Sequence, residues 1–340
     1  MKFLRSLLLA SAALVYAGSA FAAEREGVVA SIKPVHSLVA AVMEGVGEPT
    51  LIVRGTASGH AYSLKPSDAQ AIEHAKVIFW AGPEMETFLK KPLETLATGA
   101  KIVTLEDAPG LTRLKFREGG PFEPHVHDED EDGHDQAHEE KMHDEHDHAE
   151  DAAQAEDHEH HDHEGHEEYD LHFWLDPENA KILVRDIAKT LTESDPEHAE
   201  RYKANADAYS AELDALTKDI EAELKPVKDK PFIVFHDAYQ YFEKRFGVNT
   251  VGSITVNPEN APGAQRVAEI HEKIKQLGAT CVFAEPQFEP RLVKTVTEGT
   301  TAKSGVLDPL GASLKDGPDL YPQLIRNLAD ALRSCLSEAS

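Results

Sequence analysis

Short apolar runs rich in β-branched residues alternate with longer amphipathic runs along most of this 340-residue chain. This alternation is typical of repeated strand–helix units, which build a parallel sheet covered by helices. Four strands are predicted in each half of the chain: residues 28–32, 51–54, 77–81 and 102–105, then 232–235, 249–254, 280–284 and 304–307. We therefore predict an α/β fold of two (β/α)4 lobes with parallel sheets.

A long amphipathic stretch between the two halves predicts a rigid helix that joins the lobes. Residues 196–224 carry an apolar stripe at helical spacing, made by Tyr202, Tyr209, Leu213, Leu216, Ile220 and Leu224. At 1.5 Å per residue such a helix is roughly 40 Å long, enough to span both lobes. Because ligands of open α/β sheets bind beyond the carboxyl ends of the strands, we expect the binding site in the cleft between the lobes.

The N-terminus has the order of a secretory signal peptide, with basic residues, an apolar run and a small-residue cleavage site. Lys2 and Arg5 precede the apolar run 7–15, and Ala20-Phe21-Ala22 follows it. The run is shorter than the roughly 20 residues that cross a bilayer. No cysteine lies at the cleavage point to carry a lipid. We expect a signal peptide at residues 1–22 and a mature protein free in the periplasm.

Two changes in composition divide the rest of the chain. An acidic, histidine-rich segment interrupts the strand–helix alternation, and the long helix separates the two halves. The predicted segments are an N-terminal α/β lobe (23–122), a histidine-rich loop (123–170), a cleft-lining segment and helix (171–195), the connecting long helix (196–227) and a C-terminal α/β lobe (228–340).

The histidine-rich segment differs in kind from the rest of the chain. Residues 125–166 hold 18 acidic residues, one lysine and twelve histidines, and supply most of the formal net charge of −27. That charge argues against nucleic acid or an anionic membrane as a partner. With so few apolar residues the segment cannot bury a core, so we predict that it is disordered and binds metal weakly, at several exchangeable sites. Its accessory ligands are His125, His127, His134, His138, His143, His146, His148, His158, His160, His161, His163 and His166.

The chain has two cysteines, Cys281 and Cys335. In an oxidising compartment they suggest one disulfide, which the chain-entropy model credits with roughly 4 kcal/mol of stabilisation. Two buried free thiols remain the alternative. A zinc site made by this pair is disfavoured because the Cys-x-x-Cys spacing is absent from the sequence.

Four metal-competent side chains are predicted at the cleft. His60 lies in the loop after the second strand, His236 ends the fifth and Asp308 ends the eighth, while His172 opens the segment that leads to the connecting helices. Three imidazoles and one carboxylate match the ligand set of zinc, whereas manganese prefers more oxygen. We predict a zinc site of His60, His172 and His236, with Asp308 or water as the fourth ligand.

The histidines outside these two sets are interpreted as ordinary surface or core residues, and the role of Glu285 stays open between two interpretations. Glu285, which ends the seventh strand, could line the cleft or orient a loop. The histidines outside both sets are His36, His74, His198 and His271.

Six motifs carry a resemblance to a known family. They are 31–34 (SIKP), 59–68 (GHAYSLKPSD), 170–177 (DLHFWLDP), 235–239 (FHDAY), 283–287 (FAEPQ) and 307–311 (LDPLG). In this order, and with a charged histidine-rich insert, they resemble the zinc-specific periplasmic solute-binding proteins of zinc-uptake ABC transporters, the ZnuA type among metal-binding solute-binding proteins. The resemblance implies two lobes joined by a rigid helix, with the metal at their interface.

Residue by residue, the resemblance implies that His60, His172 and His236 are the zinc histidines. Manganese-binding relatives typically have a carboxylate at the position of His236, so an imidazole there favours zinc. Some zinc-binding relatives have a glutamate directly before the first histidine, where this chain has Gly59. Cys281 and Cys335 match positions that form a disulfide in close relatives.

The function expected from these features is high-affinity capture of Zn²⁺ in the periplasm and delivery to a membrane permease and its ATPase, without covalent chemistry. A periplasmic zinc chaperone is a further possible partner, and we expect a monomer. The insert would raise the local zinc concentration or sense zinc supply. The alternatives are a manganese- or iron-binding protein of the same architecture, a zinc-dependent hydrolase, and a metal-dependent adhesin.

Overall fold

Two parallel four-stranded sheets form the framework of the protein. The structure is a computed structural model, and it describes residues 27–117, 122, 169–255, 258, 263–278, 281–288 and 291–337. The predicted two-lobed α/β fold is confirmed. The predicted signal peptide and the twelve histidines of the insert lie outside the described residues.

The first sheet is built from the N-terminal part of the chain. Its strands are β1 (Val28–Ala30), β2 (Thr50–Leu51), β3 (Val77–Trp80) and β4 (Lys101–Thr104). Its helices are α1 (Lys33–Val42), α2 (Pro66–His74) and α3 (Thr87–Leu96). The strand order is β2-β1-β3-β4 and all neighbours are parallel. All four residues of β3 are buried, as expected for a central strand covered on both faces.

Two helices follow the insert and connect the lobes. They are α4 (Pro177–Ser194) and α5 (Ala199–Leu224). The Asp176 side chain caps α4 by accepting a hydrogen bond from the Glu178 N–H at 2.9 Å. Helix α5 begins at Ala199, three residues after the predicted start of the long helix at residue 196, because Pro196–His198 forms a separate 3-10 turn.

The second sheet repeats the connectivity of the first. Its strands are β5 (Pro231–His236), β6 (Asn249–Thr255), β7 (Cys281–Ala284) and β8 (Lys303–Val306), in the order β6-β5-β7-β8. Its helices are α6 (Gln240–Phe246), α7 (Ala264–Leu277), α8 (Arg291–Thr297) and α9 (Leu320–Ser337). In both sheets the strand order reverses between the first and third strands, and ligands of α/β folds bind at the carboxyl end of such a reversal.

One hydrophobic core runs through both lobes. It includes Phe79 of β3, Leu213 of α5 and Phe283 of β7. A second, smaller cluster around Ile233 and Val282 fills the other face of the second sheet. Because the lobes share one core instead of meeting through a thin linker, a large hinge motion would expose apolar surface and is disfavoured.

Hydrogen bonds between buried groups also join the lobes. The indole of Trp174 donates to the Pro309 carbonyl at 3.0 Å, and the Tyr321 hydroxyl donates to the Trp174 carbonyl at 2.7 Å. Cys281 of β7 and Cys335 of α9 form a disulfide, which confirms the predicted pairing. Among the described residues, none of the helices combines the length and apolar character needed to cross a bilayer.

Candidate metal centre

Three histidines from three separate elements meet in the cleft. His60 lies in the loop between β2 and α2, His172 directly precedes the 3-10 turn Phe173–Leu175, and His236 is the last residue of β5. One ring nitrogen from each lies within 4.8 Å of the others. The structure therefore brings together the three histidines predicted from their positions at strand ends.

A buried carboxylate orients His172. Asp170 Oδ1 accepts a hydrogen bond from the His172 backbone N–H and one from its Nδ1, both at 2.9 Å. Because the backbone N–H already donates to Oδ1, this oxygen is an acceptor, so the ring proton is assigned to Nδ1 and Nε2 keeps its lone pair for a metal. Burial raises the pKa of Asp170 to about 7, against the hydrogen bond from the His172 backbone and the charge of Arg117.

A second carboxylate orients His236 in the same way. Glu285, directly after β7, accepts from His236 Nδ1 at 2.7 Å and from the Tyr239 hydroxyl at 3.1 Å. The Nε2 atoms of His236 and His172 then lie 3.2 Å apart. Burial lowers the pKa of His236, but the charge and hydrogen bond of Glu285 outweigh this effect, so the pKa lies above its usual value.

His60 completes the group from the first lobe. Its Nε2 atom is buried and has no hydrogen-bond partner among the described residues. Burial, followed by the like charges of His172 and His236, holds the pKa of His60 well below its usual range, so the ring is neutral and able to coordinate a metal.

The loop before His60 packs tightly on apolar side chains. A Cβ atom at Gly59 would lie 2.9 Å from the Met85 methyl and 3.3 Å from Ile32 Cγ2. A glutamate at position 59 would therefore have to displace Met85.

The cavity between the histidines is small, about 10 Å³. Its lining is Ser58, His60, Met85, His172, His236, Glu285, Gln287, Phe288, Pro309 and Leu310. This volume is of the order of one water-sized sphere, which suits a single ion better than an organic ligand. A larger cavity of about 490 Å³ lies between α8 and β8, and its lining residues include none of the three histidines.

Asp308, predicted as the fourth ligand, is not brought into this group. Its Oδ1 accepts from the backbone N–H groups of Leu310 and Gly311 at 3.1 and 2.9 Å and from Gln287 Nε2 at 3.0 Å. Its Oδ2 accepts from the Ala312 N–H at 2.6 Å. Both oxygens therefore hold the loop between β8 and α9.

Sequence reasoning did not identify Asp170 as a functional residue and left Glu285 open between two roles. Asp170 stands at the end of a segment so rich in aspartate that its residue type carries no signal. The position of Glu285 did carry a signal, because this residue directly follows β7, the strand beside β5 in the sheet.

Comparisons of sequence place the chain in a known family. It matches the family described as "Zinc-uptake complex component A periplasmic" over residues 28–335. The high-affinity zinc uptake system protein ZnuA of Brucella suis biovar 1 is 69% identical over 339 residues, which cover 99% of this chain and 100% of that protein. The protein of the same name from Yersinia pestis is 38% identical over 335 residues, with 98% of both chains covered.

Solved structures share the fold. A crystal structure of ZnuA superposes with a TM-score of 0.70 at 23% identity, covering 91% of this chain and 98% of that chain. The Mn²⁺ complex of FpvC from Pseudomonas aeruginosa superposes with a TM-score of 0.71 at 17% identity, covering 93% and 100%. At these identities the structures support the fold alone. The family match and the 69% identical relative establish that the chain belongs to the family of periplasmic zinc-uptake component A proteins.

Proposed function

We propose that this protein captures Zn²⁺ in the periplasm and delivers it to the permease of an ABC transporter, whose cytoplasmic ATPase drives import. Membership of a zinc-uptake family supports zinc as the cargo. The observation that carries the proposal is the convergence of His60, His172 and His236 within 4.8 Å. Buried carboxylates hold two of the three rings with Nε2 toward the group.

The donor set favours zinc over manganese. Three imidazoles from different elements form one side of a tetrahedral shell, with Zn–N distances of about 2.0 to 2.1 Å. Manganese prefers more oxygen ligands, whereas Asp170 and Glu285 each use one oxygen to accept a hydrogen bond from Nδ1 of a histidine. A zinc ion is therefore the better match to these side chains.

We propose water, not Asp308, as the fourth ligand. Two oxygens of residues that line the cavity, Glu285 Oε2 and Gln287 Oε1, are buried without a hydrogen-bond partner among the described residues. A zinc-bound water has two O–H bonds and can satisfy two such acceptors. The oxygens of Asp308 are already engaged by four donors.

The histidine-rich insert is proposed as an accessory store. Its many histidines and carboxylates would bind zinc weakly at several exchangeable sites and release it readily. Release from the central site would require only small loop movements, since the shared core opposes a large opening of the lobes.

Competition titration tests the proposal. We expect one tight zinc site at neutral pH and much weaker manganese binding, and we expect the zinc-loaded protein to stimulate ATP hydrolysis by the reconstituted transporter. Manganese binding as tight as zinc binding would overturn the choice of metal. Turnover of ester, peptide or phosphate substrates by the zinc-loaded protein would instead support the alternative of a zinc hydrolase.

A further inference from the structure

The chain segments that flank the histidine-rich insert are hydrogen-bonded to each other beside the metal centre. We call residues 114–117 and 169–170 the insert base. Lys115 and Tyr169 pair as an antiparallel bridge, and the Asp170 N–H donates to the Leu114 carbonyl at 2.8 Å. The insert therefore leaves and re-enters the fold at one point, two residues before His172.

The insert base is bonded to the second lobe through α6. The Tyr241 hydroxyl donates to the Asp170 carbonyl at 2.9 Å and accepts from the Leu114 N–H at 3.0 Å. Gln240 Nε2 donates to the Lys115 carbonyl at 3.1 Å. These bonds cross from the chain that follows the first sheet to a helix of the second lobe.

Arg117 makes the strongest of these connections. Its guanidinium donates to both carboxylate oxygens of Asp237, with Nε 3.1 Å from Oδ2, and to both oxygens of Glu243 at 2.7 and 3.1 Å. It also lies over the Phe122 ring at 4.0 Å. Asp237 and Glu243 are 7% and 8% exposed, so one guanidinium bridges two buried carboxyl groups. The planar fork of arginine suits such two-point contacts, which the ammonium of lysine cannot reproduce.

These contacts connect two zinc histidines through the insert base. Asp237 directly follows His236, and Asp170 orients His172. We propose that Arg117 is a positioning residue for the metal centre, which holds Asp237, and with it His236, in register with His172 across the two lobes. The inference rests on the proposed zinc-binding function.

Removing the guanidinium would leave Asp237 and Glu243 buried side by side without a counter-charge. Uncompensated buried charges are strongly unfavourable, so the loop that carries Asp237 would shift to reach water or another donor. His236 is joined to it by a peptide bond and would shift with it. Loss of groups that orient metal ligands typically weakens metal binding by about 10- to 100-fold.

The test compares Arg117→Met and Arg117→Lys with a matched control, Arg245→Met, in the full chain. Arg245 makes a similar fork to Asp176, with hydrogen bonds of 2.7 and 2.9 Å, and none to a residue next to His236. For each variant we would measure the melting temperature without metal, the rate of zinc release to excess chelator, and the visible spectrum of the Co²⁺-substituted site.

We expect Arg117→Met to release zinc about tenfold faster or more, with an altered Co²⁺ spectrum, and Arg117→Lys to recover part of the loss. Arg245→Met should lower the melting temperature but leave release and spectrum unchanged. Deletion of residues 125–166, which spares Arg117, should also leave the release rate unchanged. If Arg117→Met does not fold, Arg117→Lys carries the comparison.

Release rates and spectra equal to the parent in both Arg117 variants would overturn the inference and leave Arg117 a purely structural residue. Failure of the parent protein itself to bind zinc tightly would instead overturn the proposed function. The two failures are therefore distinguishable.

Discussion

Glu285 accepts a hydrogen bond from Nδ1 of His236 at 2.7 Å, and both side chains are buried. The bond aligns the ring that ends β5 with a carboxylate that directly follows the neighbouring strand β7. Because carboxylates that accept from a ligand histidine fix the ring and raise its basicity, Glu285 acts on the metal through His236.

Replacing Glu285 by glutamine should therefore weaken zinc binding about 10-fold, and replacing it by alanine should weaken binding more. Glutamine keeps an acceptor for Nδ1 but loses the charge. A competition titration with a zinc chelator measures the change, with exposed Glu298→Gln on the same lobe as the control. Unchanged affinity in Glu285→Ala would show that the bond has no role in binding.

Zinc binding should release protons at neutral pH. Burial lowers the pKa of His236, but the charge and hydrogen bond of Glu285 outweigh it and raise the pKa, so the metal-free ring binds a proton more readily than an ordinary histidine, and zinc must displace that proton. Affinity should thus fall as the pH drops through the raised pKa of His236. Calorimetric titrations at pH 7.5 and 6.5 in buffers of different ionisation enthalpy count the protons, and the count should shrink in Glu285→Gln. Flat affinity between pH 7.5 and 5.5 would contradict a histidine site.

A buried glutamate outside the metal centre should make the stability of the protein depend on pH. Burial raises the pKa of Glu86 to about 7 from 4.5, against the hydrogen bonds that its Oε2 accepts from the Gly82 and Ala81 N–H groups. A carboxyl whose pKa is raised by folding stabilises the folded state below its unfolded pKa, and this contribution is lost as the pH rises through the folded pKa.

We therefore expect Glu86→Gln to stabilise the metal-free protein at pH 8, by on the order of 3 kcal/mol at most, and to have little effect at pH 4.5. Glu84→Gln, at an exposed position paired with Lys90, should change stability little at either pH. Urea denaturation at the two pH values measures both. Equal effects of Glu86→Gln at pH 4.5 and 8 would contradict the raised pKa.

Lys33 should stabilise the contact between α1 and the loop after β8, which Asp308 also holds through hydrogen bonds. Its buried ammonium donates to the carbonyls of Ala312 and Leu314 at 3.2 and 2.8 Å and pairs with Asp316 at 3.1 Å. Lys33→Met would leave these carbonyls without their donor, which typically costs about 1 to 3 kcal/mol of folding stability. Thermal denaturation measures the loss, and Lys315→Met, at an exposed position in the same loop, is the control. Equal stability of the two variants would contradict a stabilising role for Lys33.

The sequence predicted the strands and the three histidines because both depend on local patterns. Apolar runs mark β1, β3, β5 and β7. His60 follows β2 and His236 ends β5, whereas His172 opens the segment that leads to the connecting helices. Element ends were less accurate. The second strand, predicted at residues 51–54, is the two-residue strand Thr50–Leu51.

Partners that are distant in sequence escaped prediction. Arg117 and Asp237 are 120 positions apart, and only the folded chain shows that they meet. Asp308 was predicted as a ligand from its place at a strand end, yet Asp-Pro-Leu-Gly is also a turn sequence in which an aspartate binds the backbone that follows it. That second interpretation describes the observed contacts of Asp308.

The central claim is that the tight zinc site consists of His60, His172 and His236, and that the insert is accessory. Zinc stoichiometry and affinity, measured by chelator competition on a chain lacking residues 125–166 and on a His60→Ala chain, test it most directly. We expect one tightly bound zinc ion in the first chain and only weak sites in the second. Loss of tight binding on deletion of the insert, or its survival in His60→Ala, would contradict the claim.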